Sequence, residues 1–374
     1  MTPSVAVVGG GIGGLTAAIA LARSGRQVRV YEQATRFGRV GADINLTPNA
    51  VRGLDGIGVG DALRRTAARP THRISRTWDT GEETSRLEMG SSAEERYGSP
   101  QLTMHRADLL AALEDAVPAE ALVLGRRLTE LVETEDDVQL TFDDGSTAEA
   151  DVVIGADGIH SAVRTALLGP EHPDFTGVVA FRAVVPVERV AGVPNLGAFT
   201  KWWGPDAETQ IVTFPLSRGD DIFIFATAPQ DSWTEESWTT AGDADELRAM
   251  YADFHPEART LLDAVDEVLK SALYVRDPLP AWSTARVTLL GDACHPMMPF
   301  MAQGAGQAIE DAVVLSRALT ELDVPVAAQL RAYEAARRDR TARIQIGSRG
   351  NAWLKDAGNG DWVYGYDAWT TPVG

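Results

Sequence analysis

Glycines at a fixed spacing near the N-terminus are the strongest chemical signal in the chain. Gly9, Gly11 and Gly14 form a Gly-x-Gly-x-x-Gly pattern, and Gly13 lies inside it. In this pattern the first glycine permits a tight turn, the second lets the backbone approach a pyrophosphate, and the third lets a helix pack closely on a strand. Free N–H groups at the start of that helix favour a negatively charged group. The spacing therefore predicts a dinucleotide site.

The segments around these glycines have the pattern of a strand, a helix and a second strand. Residues 4–8 form a short apolar run, residues 15–23 are rich in Ala and Leu, and residues 27–31 form the second strand. Glu32 follows directly, at the position where a carboxylate accepts hydrogen bonds from a ribose hydroxyl. This acid disfavours a 2′-phosphate, but it does not distinguish NAD from FAD.

Two later segments show the same order of apolar strand, glycine, aspartate and loop. Residues 151–154 precede a Gly-Ala-Asp-Gly stretch that contains Asp157. Residues 287–290 precede Gly291 and Asp292, and a Pro- and Met-rich loop then leads to a helix beginning near Ala305. Three polar turns that follow apolar strands are expected to meet at one edge of a parallel sheet.

Together these three segments resemble the three fingerprints of the class A flavoprotein monooxygenases, the p-hydroxybenzoate hydroxylase group. Their order and spacing cover nearly all of the chain. The resemblance implies FAD as the cofactor and NAD(P)H as a co-substrate that binds transiently in a groove, because the chain has no second glycine unit. It implies an α/β fold of the GR2 type. A Rossmann-like FAD-binding domain is interrupted by a mostly antiparallel β-sheet domain for the substrate, and long C-terminal helices follow.

The resemblance also assigns cofactor contacts along the chain. Asp292 is expected to bind the ribityl chain of the flavin, and the segment around Ala305 to lie beside the pyrimidine edge of its ring. Surface cations are the alternative for Arg39 and Arg106, and a helix N-cap is the alternative for Asp157. The implied cofactor-binding residues are Gly9, Gly11, Gly13, Gly14, Glu32, Arg39, Arg106, Asp157, Asp292, Gly304, Ala305 and Gly306.

Three aromatic segments, at 201–203, 278–283 and 362–367, suggest a closer resemblance. They are similar to segments of the 6-hydroxynicotinate 3-monooxygenases and, more loosely, of the salicylate hydroxylases. The 6-hydroxynicotinate 3-monooxygenases have histidines where this chain has Asn45 and Phe300. They also have a tyrosine near the position of Val212. Asparagine cannot act as a general base. The reaction class is therefore transferred and the substrate is not.

Large apolar residues and a few polar groups are candidates for the substrate site, since they suit a planar ring in a dry cavity. Ordinary core packing is the alternative for the apolar residues, and a structural ion pair is the alternative for Arg182. If functional, Arg182 contacts a carboxylate or the flavin edge. The residues expected nearest the chemistry are Pro299, Asn45 and Arg182. The expected substrate contacts are Asn45, Thr47, Gln210, Val212, Phe214, Phe225, Met297, Met298 and Phe300.

The predicted reaction is hydroxylation of a small aromatic or N-heteroaromatic compound by a single-component monooxygenase. The resemblance implies that it uses NAD(P)H and O₂ through a C4a-hydroperoxyflavin, with decarboxylative hydroxylation as a special case. The alternatives are an FAD-dependent epoxidase, N-oxygenase or oxidase that acts on another class of substrate. A non-catalytic protein that holds flavin and a small aromatic compound is a further alternative.

Composition excludes several partners. The 374 residues include 53 acidic and 34 basic side chains, for a formal net charge of −19, which disfavours nucleic acid and anionic membranes as partners. Cys294 is the single cysteine, so internal disulfides are excluded, and the six histidines show no metal-ligand spacing. No targeting or membrane-spanning segment is recognisable. We expect a cytoplasmic monomer or homodimer.

The order of patterns predicts a discontinuous domain organisation. The FAD-binding domain comprises residues 1–72, 101–176 and 284–350, and the substrate domain comprises 73–100 and 177–283. Residues 351–374 form a C-terminal tail, whose aromatic part is expected to dock on the core or on a second subunit. The polar stretch 91–100 is interpreted as a surface loop, and the basic run 337–340 as the solvated face of a helix.

Overall fold

Short runs of buried aliphatic residues build the centre of the molecule. The computed structural model describes residues 3–38, 43–233, 240–321, 323–351, 353 and 360–373. The strands are β1 (Ser4–Val8), β2 (Gln27–Glu32), β3 (Ile44–Leu46), β4 (His72–Thr77), β5 (Glu83–Glu88), β6 (Leu102–Met104), β7 (Leu122–Leu124), β8 (Leu128–Glu133), β9 (Val138–Phe142), β10 (Thr147–Ala150), β11 (Val152–Gly155), β12 (Asp174–Pro186), β13 (Phe199–Trp203), β14 (Gln210–Leu216), β15 (Asp221–Pro229), β16 (Leu269–Val275) and β17 (Val287–Leu289).

Helices cover these strands and connect them. They are α1 (Ile12–Arg23), α2 (Pro48–Gly56), α3 (Gly60–Thr66), α4 (Ser91–Tyr97), α5 (Arg106–Ala116), α6 (Ala162–Leu168), α7 (Ala244–Met250), α8 (Pro256–Asp263), α9 (Gly304–Ala318), α10 (Val326–Arg349) and α11 (Asp361–Tyr364). Among the described helices, none is long and apolar enough to cross a membrane.

The central sheet has the strand order β17-β11-β1-β2-β7, and all of its neighbouring strands are parallel. Its middle strands are buried on both faces, as expected for parallel strands covered by helices. Helix α1 packs against α9 at Gly13, where an added Cβ would lie 2.6 Å from Leu290 Cδ1 and 3.1 Å from Ala308 Cβ. Glycine at this position therefore allows the two helices to approach.

A seven-stranded sheet has the order β16-β12-β15-β14-β13-β4-β5. Its neighbours are antiparallel except for β13 and β4, which are parallel. One of its faces packs against α7 and α8, and the other carries a cluster of aromatic and aliphatic side chains. The mixed α/β fold class, with a parallel sheet, a mostly antiparallel sheet and long C-terminal helices, is confirmed. The exact domain boundaries stay a prediction.

The stretch interpreted as a loop, 91–100, is instead partly helical. Helix α4 spans Ser91–Tyr97 and ends at Gly98, which has a φ of 76°. Ala, Glu and Arg are good helix formers, and a glycine with positive φ is a common helix terminator. The loop prediction gave the polar composition too much weight and the terminating glycine too little.

The described part of the C-terminal tail, 360–373, docks on the core as expected. Ala368 belongs to the main hydrophobic core, and Trp369 packs against it. The indole Nε1 of Trp369 donates a hydrogen bond to the carbonyl of Gly53, 3.3 Å away. Tail and helix α2 are therefore joined by both apolar packing and a hydrogen bond.

Candidate functional site: the cavity at the carboxyl edge of the parallel sheet

Several of the predicted cofactor-binding residues lie close together because four parallel strands end at the same edge of the central sheet. Strand β1 leads to Gly9, β2 ends at Glu32, β11 leads to Asp157, and β17 leads to Asp292. A cavity of about 840 Å³ opens at this edge. It is lined by ten of the predicted residues: Gly9, Gly11, Glu32, Arg106, Asp157, Arg182, Asp292, Met297, Met298 and Pro299.

The glycine turn has the shape that a pyrophosphate needs. Gly9 has a φ of 106°, and a Cβ there would lie 2.4 Å from the carbonyl oxygen of Ala156. A Cβ on Gly14 would lie 2.0 Å from the carbonyl oxygen of Gly9, whereas a Cβ on Gly11 would meet no atom within 4 Å. Gly9 and Gly14 are thus required by the fold itself. Gly11 leaves open space at the start of α1, which fits the phosphates of FAD.

Glu32 braces this turn and also lines the cavity. Its carboxylate accepts hydrogen bonds from the N–H of Gly10, at 2.6 Å, and of Ala34, at 2.8 Å. The two bonds fix the side chain at the end of β2, beside the glycine turn. That is the placement expected for an acid that receives a ribose hydroxyl.

Asp157 caps a helix and also lines the cavity, and its contact with the cofactor stays a prediction. Its carboxylate accepts hydrogen bonds from the Ser161 hydroxyl and from the N–H groups of Ala162 and Val163, so it caps helix α6. The same side chain lines the cavity. Burial raises the pKa of Asp157, and the bonds from Ser161 and the helix N-terminus offset part of that effect.

Asp292 and Arg106 both line the cavity, and the charge of Arg106 acts on the Asp292 carboxyl group. Confinement in the cleft raises the pKa of Asp292, and the positive charges of His295 and Arg106 offset part of the rise. Arg106 is the first residue of α5, and it lines the cavity together with Asp292. A carboxylate accepts hydrogen bonds from the hydroxyl groups of a ribityl chain, and a guanidinium donates hydrogen bonds to a phosphate.

The loop that carries Asp292 is held from behind by Asp311 of α9. The Asp311 carboxylate accepts the N–H of Gly291 at 3.1 Å, lies 2.6 Å from Nε2 of His295, and accepts Nε of Arg337 at 2.7 Å. All of these side chains are buried. Burial alone would raise the pKa of Asp311, but His295 and Arg337 outweigh it and hold the pKa at about 2.

Arg337 is the centre of a wider buried network, so the prediction that residues 337–340 form a solvated face is wrong. Arg337 is fully buried and pairs with Glu310 and Asp311, and Arg340 also pairs with Glu310. Helix α10 turns this face toward α9, while the side chain of Arg338 is 42% exposed on another face. A run of arginines therefore divides between core and solvent according to the helical period.

Thr47 joins this network through hydrogen-bonded amides. Its hydroxyl donates to Asn49 at 2.7 Å and accepts from Gln303 at 2.8 Å, and Asn49 in turn donates to Glu310. Thr47 is fully buried and is not among the described residues of the cavity wall. Its hydrogen bond with Gln303 holds the turn directly before α9, and its contact with a substrate stays a prediction.

The start of α9 lies beside Asp292. A Cβ on Gly304 would be 4.0 Å from Asp292 Oδ1, and a Cβ on Gly306 would lie 3.3 Å from Gln303 Oε1. Gly304 and Ala305 are partly exposed, and Gly306 is buried. The helix N-terminus is thus placed next to the predicted ribityl contact. Arg39 lies outside the described residues.

Five of the predicted substrate residues come together in one apolar cluster on the seven-stranded sheet. They are Val212, Phe214, Phe225, Met298 and Phe300. Only Met298 of the five lies in the described cavity wall, and the others stand behind it. Phe199 stacks on Phe214 at 5.3 Å and belongs to the same cluster. Met297 lines the cavity and also packs against a cluster that includes Met301, Ile344 and Tyr364.

Two predicted polar contacts are buried with one atom unpartnered. Asn45 accepts a hydrogen bond from Gln101 at 2.8 Å, while its Nδ2 has no partner. Gln210 is buried on β14, and its Oε1 has no partner. Unsatisfied buried polar atoms are costly, and they are often satisfied by a ligand or by water.

Arg182 links the cavity to the apolar cluster. Its Nη1 donates to the Ser271 hydroxyl at 2.5 Å, and its guanidinium lies 5.4 Å from the centre of the Phe225 ring. Burial lowers the pKa of Arg182 to about 10, and the charge of Asp43 offsets part of that effect. Burial raises the pKa of Asp43 to about 6, against the opposing effects of Arg182 and Arg106.

Sequence reasoning missed Asp43, Asp311 and Arg337. Asp43 stands directly before β3, in a run that is otherwise glycine, alanine and apolar residues. An isolated acid in such a run is a usable signal. Asp311 and Arg337 lie inside helices, and their partners come from distant parts of the chain, so local patterns carry no comparable signal.

Known proteins resemble this chain over nearly its whole length. The model of a family described as FAD binding domain matches residues 2–346. The chain is 43% identical over 373 residues to 6-hydroxynicotinate 3-monooxygenase of Bordetella bronchiseptica, covering 99% of this chain and 97% of that protein.

Two solved structures are similar along almost their whole length. A salicylate hydroxylase substrate complex has a TM-score of 0.85 at 27% identity and covers 99% of this chain and 98% of that one. Klebsiella pneumoniae HpxO complexed with FAD and uric acid has a TM-score of 0.83 at 30% identity, covering 95% and 90%. The predicted resemblance and the FAD cofactor are confirmed. The chain therefore belongs to the FAD-binding family that includes the flavin-dependent aromatic monooxygenases.

Proposed function

We propose that the chain is an FAD- and NAD(P)H-dependent monooxygenase that hydroxylates a small aromatic or N-heteroaromatic ring carrying a carboxylate. The observation that carries the proposal is the position of Arg182, between the FAD cavity and the apolar cluster of the seven-stranded sheet. An aromatic carboxylate needs both features. The flat ring requires an apolar wall, and the charge requires a fixed cation.

The apolar cluster supplies the wall. Met298 lines the cavity, and Phe225 and Phe300 stand behind it with relative exposures of 9% and 8%. Aromatic and Met side chains make broad, polarisable contacts with a ring. They also exclude water from the reaction, which protects a reactive oxygen-transferring species from hydrolysis.

Arg182 supplies the cation, and its neighbours set its orientation. Ser271 and the Phe225 ring hold the guanidinium in place. A planar guanidinium can bind a carboxylate through two parallel hydrogen bonds. The net charge of −19 repels anionic ligands, so a local cation at the cavity is needed for such a substrate to bind.

The rest of the cavity holds and orients the cofactor. Bound FAD, once reduced by NAD(P)H, supplies the activation of O₂. Gly11 and Glu32 would hold its diphosphate and ribose, Asp292 its ribityl chain, and the start of α9 the electron-rich edge of its ring. Pro299 lines the cavity, as Asp292 does, and would lie at the face of the flavin ring that reacts.

Asn45 and Gln210 are proposed to orient a polar substituent of the ring. The unpartnered Nδ2 of Asn45 is a donor, and the unpartnered Oε1 of Gln210 is an acceptor. Neither residue is among the described residues of the cavity wall. A hydroxyl substituent can bond to either atom, whereas an unprotonated ring nitrogen can accept only from Asn45. Two of the named relatives act on ligands of this kind: hydroxynicotinate and salicylate each combine a ring, a polar substituent and a carboxylate. The uric acid of the HpxO complex has no carboxylate.

The test compares aromatic acids with their neutral analogues. FAD-loaded protein is titrated with 6-hydroxynicotinate, salicylate, 2-hydroxypyridine and phenol, and changes in the flavin spectrum report binding. Substrate-stimulated NADH or NADPH oxidation is then measured, and the product is examined by mass spectrometry after reaction under ¹⁸O₂. We expect at least one acid to bind more tightly than its neutral analogue and to gain one ¹⁸O. Loss of the carboxyl group in that product would identify decarboxylative hydroxylation.

Matched variants locate the anion contact. Arg182→Gln is expected to raise KM for the acid about tenfold or more, because a charged hydrogen-bond partner is lost. Arg127→Gln removes an exposed charge from another part of the same cavity and serves as the control. Equal binding of acids and neutral analogues would contradict the proposed substrate class. Absence of NAD(P)H oxidation with every binding compound would favour a non-catalytic flavin protein.

A further inference from the structure

A second cavity lies against the opposite end of the central sheet. Its volume is about 480 Å³. It is bounded by the beginning of β1, the beginning of β2, the end of β10 and the turn at 118–121. We call this space the rear cavity. Its described lining shares only Tyr31 with the FAD cavity.

Arg26 is the unusual residue of the rear cavity. It lines the space directly before β2, and only 7% of the residue is exposed. Its Nη2 atom is buried and has no hydrogen-bond partner. Burial lowers the pKa of Arg26, and no neighbouring charge offsets the effect. A buried guanidinium normally has an anionic partner, because desolvation of an unpaired charge is costly.

Among the described ion pairs, the other charged groups that line the rear cavity do not pair with Arg26. Arg29 is exposed, and its charge opposes the effect of burial, which raises the pKa of Tyr31. Glu120 and Glu149 line the cavity and are exposed, and among the described ion pairs neither carboxylate reaches Arg26. These two cations and two acids leave the lining formally neutral, so the unpartnered guanidinium is not part of a general basic patch.

We propose that the rear cavity is a binding site for a small oxyanion, which is held by the guanidinium of Arg26. A carboxylate or a phosphate matches the planar fork of donors on arginine. Val5, Val28 and Pro118 supply apolar lining, which strengthens a charged hydrogen bond by excluding water. A water molecule would satisfy Nη2 as a hydrogen-bond acceptor, but it would leave the buried charge unpaired.

Calorimetric titration of the FAD-loaded protein tests the proposal. FAD occupies the phosphate positions of the first cavity, but acetate can still reach Arg182 there. The comparison with Arg26→Gln therefore assigns the measured binding to the rear cavity. Inorganic phosphate and acetate are titrated separately at constant ionic strength, which distinguishes a phosphate site from a carboxylate site. We expect saturable one-to-one binding of at least one anion at millimolar concentration, and a loss of about tenfold or more in affinity for Arg26→Gln.

Two controls keep the outcome interpretable. Arg65→Gln removes an exposed arginine in α3, outside the lining of the rear cavity, and is expected to leave the affinity unchanged. Arg26→Lys keeps the charge with a different donor geometry, so it is expected to retain part of the affinity, and it replaces Arg26→Gln if that variant does not fold. In crystals of the unmodified protein soaked in selenate, an anomalous peak is expected within hydrogen-bond distance of Arg26.

Three results would overturn the proposal. One is no saturable binding of phosphate or acetate up to about 50 mM, beyond which binding is too weak to be specific. Another is equal affinity of the unmodified protein and Arg26→Gln. The third is a crystal structure in which only water, or the carboxylate of Glu120 or Glu149, contacts Arg26 in the presence of selenate. None of these results bears on the monooxygenase reaction, which is assayed at the other cavity.

Discussion

Replacement of Asp311 by Asn is expected to lower both the stability of the fold and the affinity for FAD. Asp311 lies on α9, is fully buried, and pairs with Arg337 and His295. Loss of one partner of a buried ion pair costs about 3–5 kcal/mol. Arg337 keeps a second carboxylate, Glu310, so we expect the lower end of this range, about 3 kcal/mol.

Part of this free energy comes from a hydrogen bond to the loop that carries Asp292. The Asp311 carboxylate accepts the N–H of Gly291, the residue next to the predicted ribityl contact Asp292. A hydrogen bond to a charged group contributes about 1.5 kcal/mol or more, which corresponds to about a tenfold change in affinity if the loop must re-form it on binding FAD. We therefore expect the Kd for FAD to rise about tenfold in Asp311→Asn.

Glu310→Gln is the matched control. Glu310 is the next residue on the same helix, is equally buried, and pairs with Arg337 and Arg340. It makes none of the described hydrogen bonds to the Gly291–His295 turn. Urea unfolding of the FAD-free proteins measures stability, and flavin fluorescence titration measures the Kd for FAD. Both variants are expected to lose similar stability, whereas only Asp311→Asn loses FAD affinity by an order of magnitude. Equal losses of FAD affinity would refute a specific role for Asp311 in the loop.

The pH dependence of Asp311→Asn has a defined sign. The pKa of Asp311 is about 2 in the folded state and 3.8 as a reference value. An acid whose pKa is lower in the folded state stabilises the protein above the reference pKa, and that stabilisation is lost as the pH falls through the folded value. The difference in free energy of unfolding between the unmodified protein and the variant should therefore shrink between pH 4 and pH 2. A constant difference would show that Asp311 is not ionised in the fold.

Four further changes test other parts of the site. Asp292→Ala should lower FAD affinity in fluorescence titration with little change in the stability of the FAD-free protein, and unchanged affinity would exclude the ribityl contact. Gly11→Ala should fold normally but fail to retain FAD, because its Cβ meets open space where the phosphates are expected. Gly14→Ala should lower the urea midpoint of unfolding, because its Cβ would lie 2.0 Å from a carbonyl oxygen. Asp43→Asn should gain stability relative to the unmodified protein as the pH rises from about 4 to about 6, because the folded-state pKa of Asp43 is raised to about 6 and its ionisation there disfavours the fold; a gain at falling pH would reverse this assignment.

Much of the cofactor cradle could be predicted from the sequence because its signals are local. The turn at Gly9 and Gly14 follows a short apolar strand, and the spacing of its glycines marks it. A Cβ on Gly14 would meet the nearby carbonyl oxygen of Gly9, whereas a Cβ on Gly9 would meet Ala156 from a distant part of the chain. Asp157 and Asp292 also follow short apolar strands. Since parallel strands share one carboxyl edge, local order along the chain was enough to bring these residues together.

The substrate side was less predictable because it depends on which face of a strand or helix is covered. Val212, Phe214 and Phe225 were predicted as substrate contacts, and they share one cluster. Thr47 was also predicted as a substrate contact, and its hydroxyl bonds to Asn49 and Gln303. A threonine before a helix has the same local pattern whether its hydroxyl meets a ligand or a buried amide. Which partner it meets is decided by tertiary packing.

Charge content alone misassigned α10, and the reason bears on how this chain supports the loop that carries Asp292. Arg337 and Arg340 are three residues apart, so they project from the same side of the helix, and α9 places Glu310 and Asp311 opposite them. Burial of these charges is expensive and contributes little net stability compared with apolar packing. What it provides is direction, because an aspartate can hold the N–H of Gly291 at a fixed position and an aliphatic residue cannot. The buried charges are therefore best understood as the support that orients the Asp292 loop, which is the role that the paired variants of Asp311 and Glu310 separate from stability.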